Sequence, residues 1–167
     1  MAIITANFVT RLSGGAANAT GNASLGGVKS ANAMSATVDL LFDQTSAAEA
    51  LAGDIEYRCV YLHNANAADT MTNAVVFIGA NTPLTSTTLD IGVGSAAVNG
   101  TEQTILDETV APLSVTFSAP STAATGLALG NIPFGQHKAI WLRRTVTAAS
   151  GSSANDTWTI DYRCETV

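Results

Sequence analysis

The feature that most limits what this chain can fold into is its rhythm of short alternating segments from residue 54 to the end. Runs rich in Val, Ile, Leu, Thr and Tyr recur about every ten residues, with Gly, Pro and Asn between them. In the first, Ile55, Tyr57, Cys59 and Tyr61 fall on one side of an extended chain, and Glu56, Arg58, Val60 and Leu62 on the other. Apolar residues on both sides predict a strand covered on both faces. A turn follows over residues 64–69, then a strand over 71–78 that Asn81-Thr82-Pro83 ends. Short strands are predicted around Leu89, Ile91 and Val93 and over residues 104–106, 114–118 and 128–132.

Residues 131–167 close the series as the clearest pattern of all. Pro133-Phe134-Gly135 launches a run in which Ile140, Leu142 and Val146 alternate with Ala139, Trp141, Arg143 and Thr145. Later, Trp158, Ile160, Tyr162 and Cys164 alternate with Thr157, Thr159, Asp161, Arg163 and Glu165. With a soft Ala, Ser, Gly and Asn loop over 148–155 between them, these read as one long hairpin, apolar on one face and wet on the other. Seven or eight short strands without a βα alternation predict an all-β fold. The expected architecture is an immunoglobulin-like β-sandwich over residues 55–167, with a jelly roll as the alternative.

Residues 39–54 are expected to be a short helical connector. Ser46 supplies a hydroxyl N-cap, Glu49 stands three residues on, Ala and Leu follow, and Gly53 sits where a helix ends. Residues 1–38 begin β-prone and then dissolve into Gly, Ala, Asn and Ser, with glycines too frequent for a helix or a regular strand. They are expected to be an extended N-terminal arm that becomes ordered against another subunit, with Phe8, Arg11, Leu12, Leu25 and Val28 as its partner-binding anchors.

Charged residues make up 12% of the chain, about half the usual share, so the surface is covered by small polar and apolar side chains that suit packing against neighbours. A net charge of −6 argues against a partner held through nucleic-acid phosphates. No run of apolar residues reaches membrane-spanning length, and no signal-peptide layout opens the chain. The sequons at Asn18, Asn22, Asn99 and Asn155 then follow from an Asn- and Thr-rich composition. Cys59 and Cys164 cannot make a zinc site alone and read as buried free thiols, with a disulfide as the alternative.

No catalytic, cofactor-binding or metal-ligating set is read from the residues. His63 and His137 lie at strand ends without partner motifs, and Asp107-Glu108 lacks the spaced oxygens of a calcium loop. Arg143 and Arg144 are more informative, because consecutive strand residues point to opposite faces. One of them enters the sandwich, where it needs a carboxylate such as Glu56 or Asp161, or else meets another subunit; both are interface candidates.

Several stretches together resemble a family of tailed-bacteriophage virion structural proteins. They are Arg11-Leu12-Ser13-Gly14-Gly15 with Ala23-Ser24-Leu25-Gly26-Gly27, Leu41-Phe42-Asp43 before Ala48-Glu49-Ala50, Glu56-Tyr57-Arg58-Cys59, Asn99-Gly100-Thr101, and Ile140-Trp141-Leu142-Arg143-Arg144-Thr145-Val146. The resemblance implies a non-enzymatic particle component, without cofactor, located in the virion and assembled in the host cytoplasm. Among stations it favours a capsid cement or decoration protein, a homo-oligomer (trimer or dimer) on the major capsid protein. A neck, tail or baseplate component is the nearest rival, and a host-glycan-binding module the next.

Overall fold

The computed structural model describes residues 2–34, 41–80, 86–150 and 157–165. Its central element is β2 (Asp54–Asn64), in which every residue from Glu56 to Leu62 is buried. Neither face of this strand meets solvent, as its two apolar parities predict. β1 (Phe8–Leu12) and β6 (His137–Val146) flank it, and β4 (Thr87–Val93) lies beyond β6, giving a four-stranded antiparallel sheet in the order β1-β2-β6-β4. A three-stranded antiparallel sheet, β5 (Leu127–Ile132), β3 (Met71–Ala80) and β7 (Thr159–Glu165), runs in the order β5-β3-β7. Among the described residues the fold is therefore all-β, apart from α1 (Ala47–Ala52) and two 3-10 turns.

Two cores result. Between the sheets, Val60, Leu62, Ile140 and Leu142 meet Val76, Ile78, Leu129 and Ile132. On the outer face of the four-stranded sheet, Tyr57, Cys59, Tyr61 and Trp141 are covered by Leu25, Ile105, Val115 and Phe117. Trp141, which alternation assigned to a wet face, has no exposed surface at all.

α1 forms as its caps dictate. Ser46 Oγ accepts from Glu49 N at 3.2 Å, Ser46 N donates to Glu49 Oε2 at 2.6 Å, and Gly53 follows the last turn.

The closing hairpin does not exist. β6 pairs with β2 and β4, whereas β7 pairs with β3 in the facing sheet. Both strands turn an apolar face toward the same inner core, so their alternation is the same whether they are neighbours or stand across the core from each other. The segments at 104–106 and 114–118 reduce to single bridges, Thr104 to Gly26 and Ser118 to Ile91. Asn81-Thr82-Pro83 and the loop from 151 onward lie outside the described residues, as does the boundary placed at residue 38.

The N-terminal segment folds back on its own chain. β1 pairs with Val60–Asn64 of β2, Leu25 then packs on the outer core, and residues 30–34 return along β1 with Met34 against the inner core. Where β1 stops, loops take over the β2 edge: Cys59 N donates to Ser24 O at 2.7 Å and Tyr57 N to Glu108 O at 2.7 Å. Cys59 sits on the outer face of one sheet and Cys164 on the inner side of the other; both are free thiols.

Candidate functional site

The densest chemistry lies at the end of the inner core where β2 begins. Glu56 and Arg58, two apart on β2, face inward, and Arg144 is placed directly opposite Glu56 by the β2–β6 register. All three are buried. Arg144 pairs with Glu56, and Arg58 Nη2 reaches Glu56 Oε1 at 3.7 Å and pairs with Glu108. Both guanidiniums also hold the segment that leads into α1: Arg58 Nε donates to Leu41 O at 3.0 Å and Arg144 Nη1 to Asp43 O at 2.7 Å. Phe42 lies between them, 5.4 Å from Arg58 Cζ and 5.0 Å from Arg144 Cζ, with Trp158 edge-on at 6.0 Å.

Burial pushes the Glu56 carboxyl up to about 7, against the pull of Arg144 and with a further push from its hydrogen bond to Asp43. The carboxylate oxygens of Asp43, Glu56 and Glu108 lie within 4.8 Å of one another, a spacing a divalent cation can bridge. Glu56 and Glu108 already face guanidiniums, and Arg144 Nη2 lies 3.4 Å from Asp43 Oδ1. The positive charge a cation would bring is thus supplied by arginine, and the donor set is an ion-pair network. Arg144 is the arginine that enters the core, with Glu56 of the two expected carboxylates. Arg143, on the opposite face, donates to Asp90 Oδ2 from Nη2 at 2.7 Å and lies over Phe117.

A second polar centre fastens the N-terminal layer. Tyr61 OH donates to Gly27 O at 2.5 Å and accepts from Glu102 N at 2.9 Å, joining the layer to the loop beside it. Burial pushes the buried Glu102 carboxyl up, but hydrogen bonds from Ala96 N, Gln103 N and Ser95 Oγ outweigh that and hold it below the ordinary carboxylate range. Sequence reading missed Glu102. Its only signal is an acid isolated in a Gly- and Ala-rich loop.

The expected arm anchors are distributed as follows. Leu12 is fully buried, Leu25 packs on the outer core, and Phe8 stacks on Tyr162 with ring centroids 6.2 Å apart. Arg11 donates to Ala31 O inside its own segment. Within one chain these four are engaged by their own fold, and only Val28 among the five is exposed. His63 and His137 face each other across β2 and β6. Burial, and then the charge of Lys29, lower both below the ordinary histidine range.

Large apolar side chains remain outside both cores. Leu51 on α1, Ile55 at the start of β2, and Leu106, Val110 and Leu113 on the loop over β2 are all exposed, Leu106 by 88%. Ile55 and Thr109 line one shallow depression with Gly53, Val146 and Ala148, so the start of β2, the loop beside it and the end of β6 border a common surface. Comparisons with protein-family models, curated proteins and solved structures find no match.

Proposed function

We propose that this chain is a non-enzymatic structural component of a tailed-bacteriophage virion, most simply a capsid cement or decoration protein seated on the major capsid protein. The observation that carries the reading is the exposed apolar rim of Leu51, Ile55, Leu106, Val110 and Leu113 on a chain with only 12% charged residues. A surface of that kind is stabilised by a neighbour that covers it. The resemblance of the five stretches named above supplies the setting.

The fold we assign is immunoglobulin-like. The order β1-β2-β6-β4 follows the A-B-E-D sheet of constant-type domains, with one extra strand, β5, inserted in the chain between the equivalents of D (β4) and E (β6) and carried into the facing sheet. The alternative of a neck, tail or baseplate component uses the same rim on a different neighbour. A glycan-binding role is disfavoured because Tyr57, Tyr61 and Trp141 are buried under the N-terminal layer and away from loop tips.

The test is binding to particles stripped of this chain, read by co-sedimentation and by the temperature at which shells release their DNA. The wild-type chain pellets with shells and raises that temperature, and Leu106→Asp with Leu113→Asp abolishes both effects while leaving the circular dichroism spectrum unchanged. A wild-type chain that stays in the supernatant overturns the decoration role.

A further inference from the structure

The two sheets present four edges, and three of them are closed or blunted. Residues 30–34 cover β1, through Leu12 N to Asn32 O, Ser30 N to Leu12 O and Met34 N to Thr10 O. Ser118 exchanges two backbone hydrogen bonds with Ile91 and covers β4. β5 breaks register with β3 on both sides of Ala74, and Gly130 within it takes φ +78°, the kink that spoils an edge for pairing.

β7 is different. Ile160 to Arg163 run against Ile78 to Val75 without a break; the register shifts between Thr72 and Val75 and between Ile78 and Ala80 place the extra residue on β3, and among the described residues no backbone group pairs with the outer side of β7. In constant-type immunoglobulin sheets the equivalent strand is central, with one more strand beyond it; among the described residues no strand lies beyond β7. Beside the open edge runs a groove of mixed polarity in which Ile3, Ile4, Thr5 and Phe8 of the N-terminal segment face Tyr162, Arg163 and Cys164, and Ile4 is 60% exposed.

We propose that β7 pairs antiparallel with β7 of a second copy of this chain, about a two-fold axis at Tyr162, fusing two three-stranded sheets into one of six. The charge pattern selects this partner and this register. Ile160, Tyr162 and Cys164 pack toward the inner core, which leaves Asp161 and Arg163 on the outer face, and neither has an ion pair among the described residues.

With the axis at Tyr162, Asp161 stands opposite the second copy's Arg163 and Arg163 opposite its Asp161, so opposite charges meet twice. Ile160 stands opposite the second copy's Cys164, and all of Thr159–Glu165 is paired. An axis at Arg163 sets Arg163 against itself and Asp161 against Glu165, so like charges meet throughout. An axis at Cys164 shortens the overlap to residues 163–165 of the strand. The pairing gives the homo-oligomer of the virion reading a specific contact. It rests on that reading only for its setting and is tested on the isolated chain, so its failure leaves shell binding untouched.

The experiment combines sedimentation with thiol crosslinking. The wild-type chain sediments as a dimer. Arg163→Glu weakens the dimer by about tenfold or more, and exchanging the two charges, Asp161→Arg with Arg163→Asp, restores it to within about threefold. Ile160→Cys yields a covalent dimer with a methanethiosulfonate crosslinker of about 5 Å reach, the separation of directly opposed residues. That product disappears when Cys164→Ser is added, because Cys59 is fully buried and does not react. The wild-type chain gives no covalent dimer in the same reaction, since in this register the two Cys164 thiols are several residues apart. A monomer at all concentrations, a dimer indifferent to Arg163→Glu, or wild-type crosslinking through Cys164 each overturns the pairing.

Discussion

Arg144→Met is the most discriminating perturbation of the buried charge cluster. Arg144 pairs with Glu56, donates to Asp43 O at 2.7 Å and lies over Phe42, and its side chain is 7% exposed. Methionine keeps most of the volume over the ring, so the change isolates the charge. The cost depends on whether Glu56 is ionised. A carboxyl raised from 4.5 to about 7 favours its protonated form by about 3 kcal/mol, at about 1.4 kcal/mol per pH unit.

The sign follows from proton counting. Between those two values the folded state binds more protons than the unfolded one, so the Glu56 contribution is complete below about 4.5 and is lost as pH rises through about 7. In the variant Glu56 has lost its main counter-charge, and at pH 8 it either ionises with only Arg58 nearby or must take up a proton. The expected penalty there is about 3 kcal/mol, the low end for breaking a buried pair, because Arg58 remains at 3.7 Å. At pH 5, with Glu56 neutral, the penalty falls to about 1 kcal/mol, roughly that of the lost hydrogen bond to Asp43 O. Glu56→Gln combined with Arg144→Met brings the pH 8 penalty down to the pH 5 value. Urea denaturation of the four chains at both pH values measures all of this. An Arg144→Met penalty equal at pH 5 and pH 8, or unrelieved by Glu56→Gln, refutes the account.

The same denaturation experiment covers three other sites. Gly26→Ala places a Cβ 1.9 Å from Gln103 O at a backbone φ of +91°, so the layer must part from the loop; a loss of about 3–5 kcal/mol is expected, from left-handed strain and broken backbone pairs. Tyr61→Phe removes the hydroxyl between Gly27 O and Glu102 N and costs about 1–3 kcal/mol, with faster amide exchange at Gly27 and in the facing loop but not in β3. His63 and His137 act oppositely to Glu56: with folded values held below the usual 6.5, their contribution is complete above that value and is lost as pH falls. Denaturation midpoints and the amide protection of Lys29 and its neighbours therefore decline below about pH 6.5, and His63→Asn with His137→Gln flattens that decline.

The β class, the helix with its caps, the two-faced β2 and the inward turn of Arg144 were legible because each rests on local rules. Side-chain parity along a strand reports which faces are covered, and the spacing of Ser46, Glu49 and Gly53 reports a helix by its ends. Strand partners were not legible, since β6 and β7 carry equal alternation and stand in different sheets. The course of the N-terminal segment over its own chain was not legible for a different reason. Ser13, Ser24 and Ser30 look like solvated filler, yet all three are fully buried. Ser13 Oγ donates to Cys59 O at 2.8 Å and accepts from Gly26 N at 3.0 Å, and Ser30 Oγ donates to Asn18 O at 2.6 Å. Small polar residues close backbone hydrogen bonds inside a layer as readily as they face water, and composition does not separate the two.

The division of large and small residues between the two cores has a mechanical consequence. The inner core is mainly aliphatic, whereas Tyr57, Tyr61, Trp141 and Phe117 collect on the outer face. There they meet backbone: a Cβ at Gly26 would lie 3.1 Å from Trp141 Cη2, so the glycines let the chain run directly over the rings. The layer is thin, and it is held by a few polar fasteners such as Tyr61 OH and Ser13 Oγ and by Leu25, its residue packed on the outer core. Opening it exposes the outer aromatics but leaves every contact between the two sheets in place. Layer and sandwich are therefore expected to open with separate free energies, the layer first. The neighbour proposed to cover Leu106 and Leu113 would press on the loop that Tyr61 and Gln103 hold against this layer, and so would stabilise the weaker of the two units.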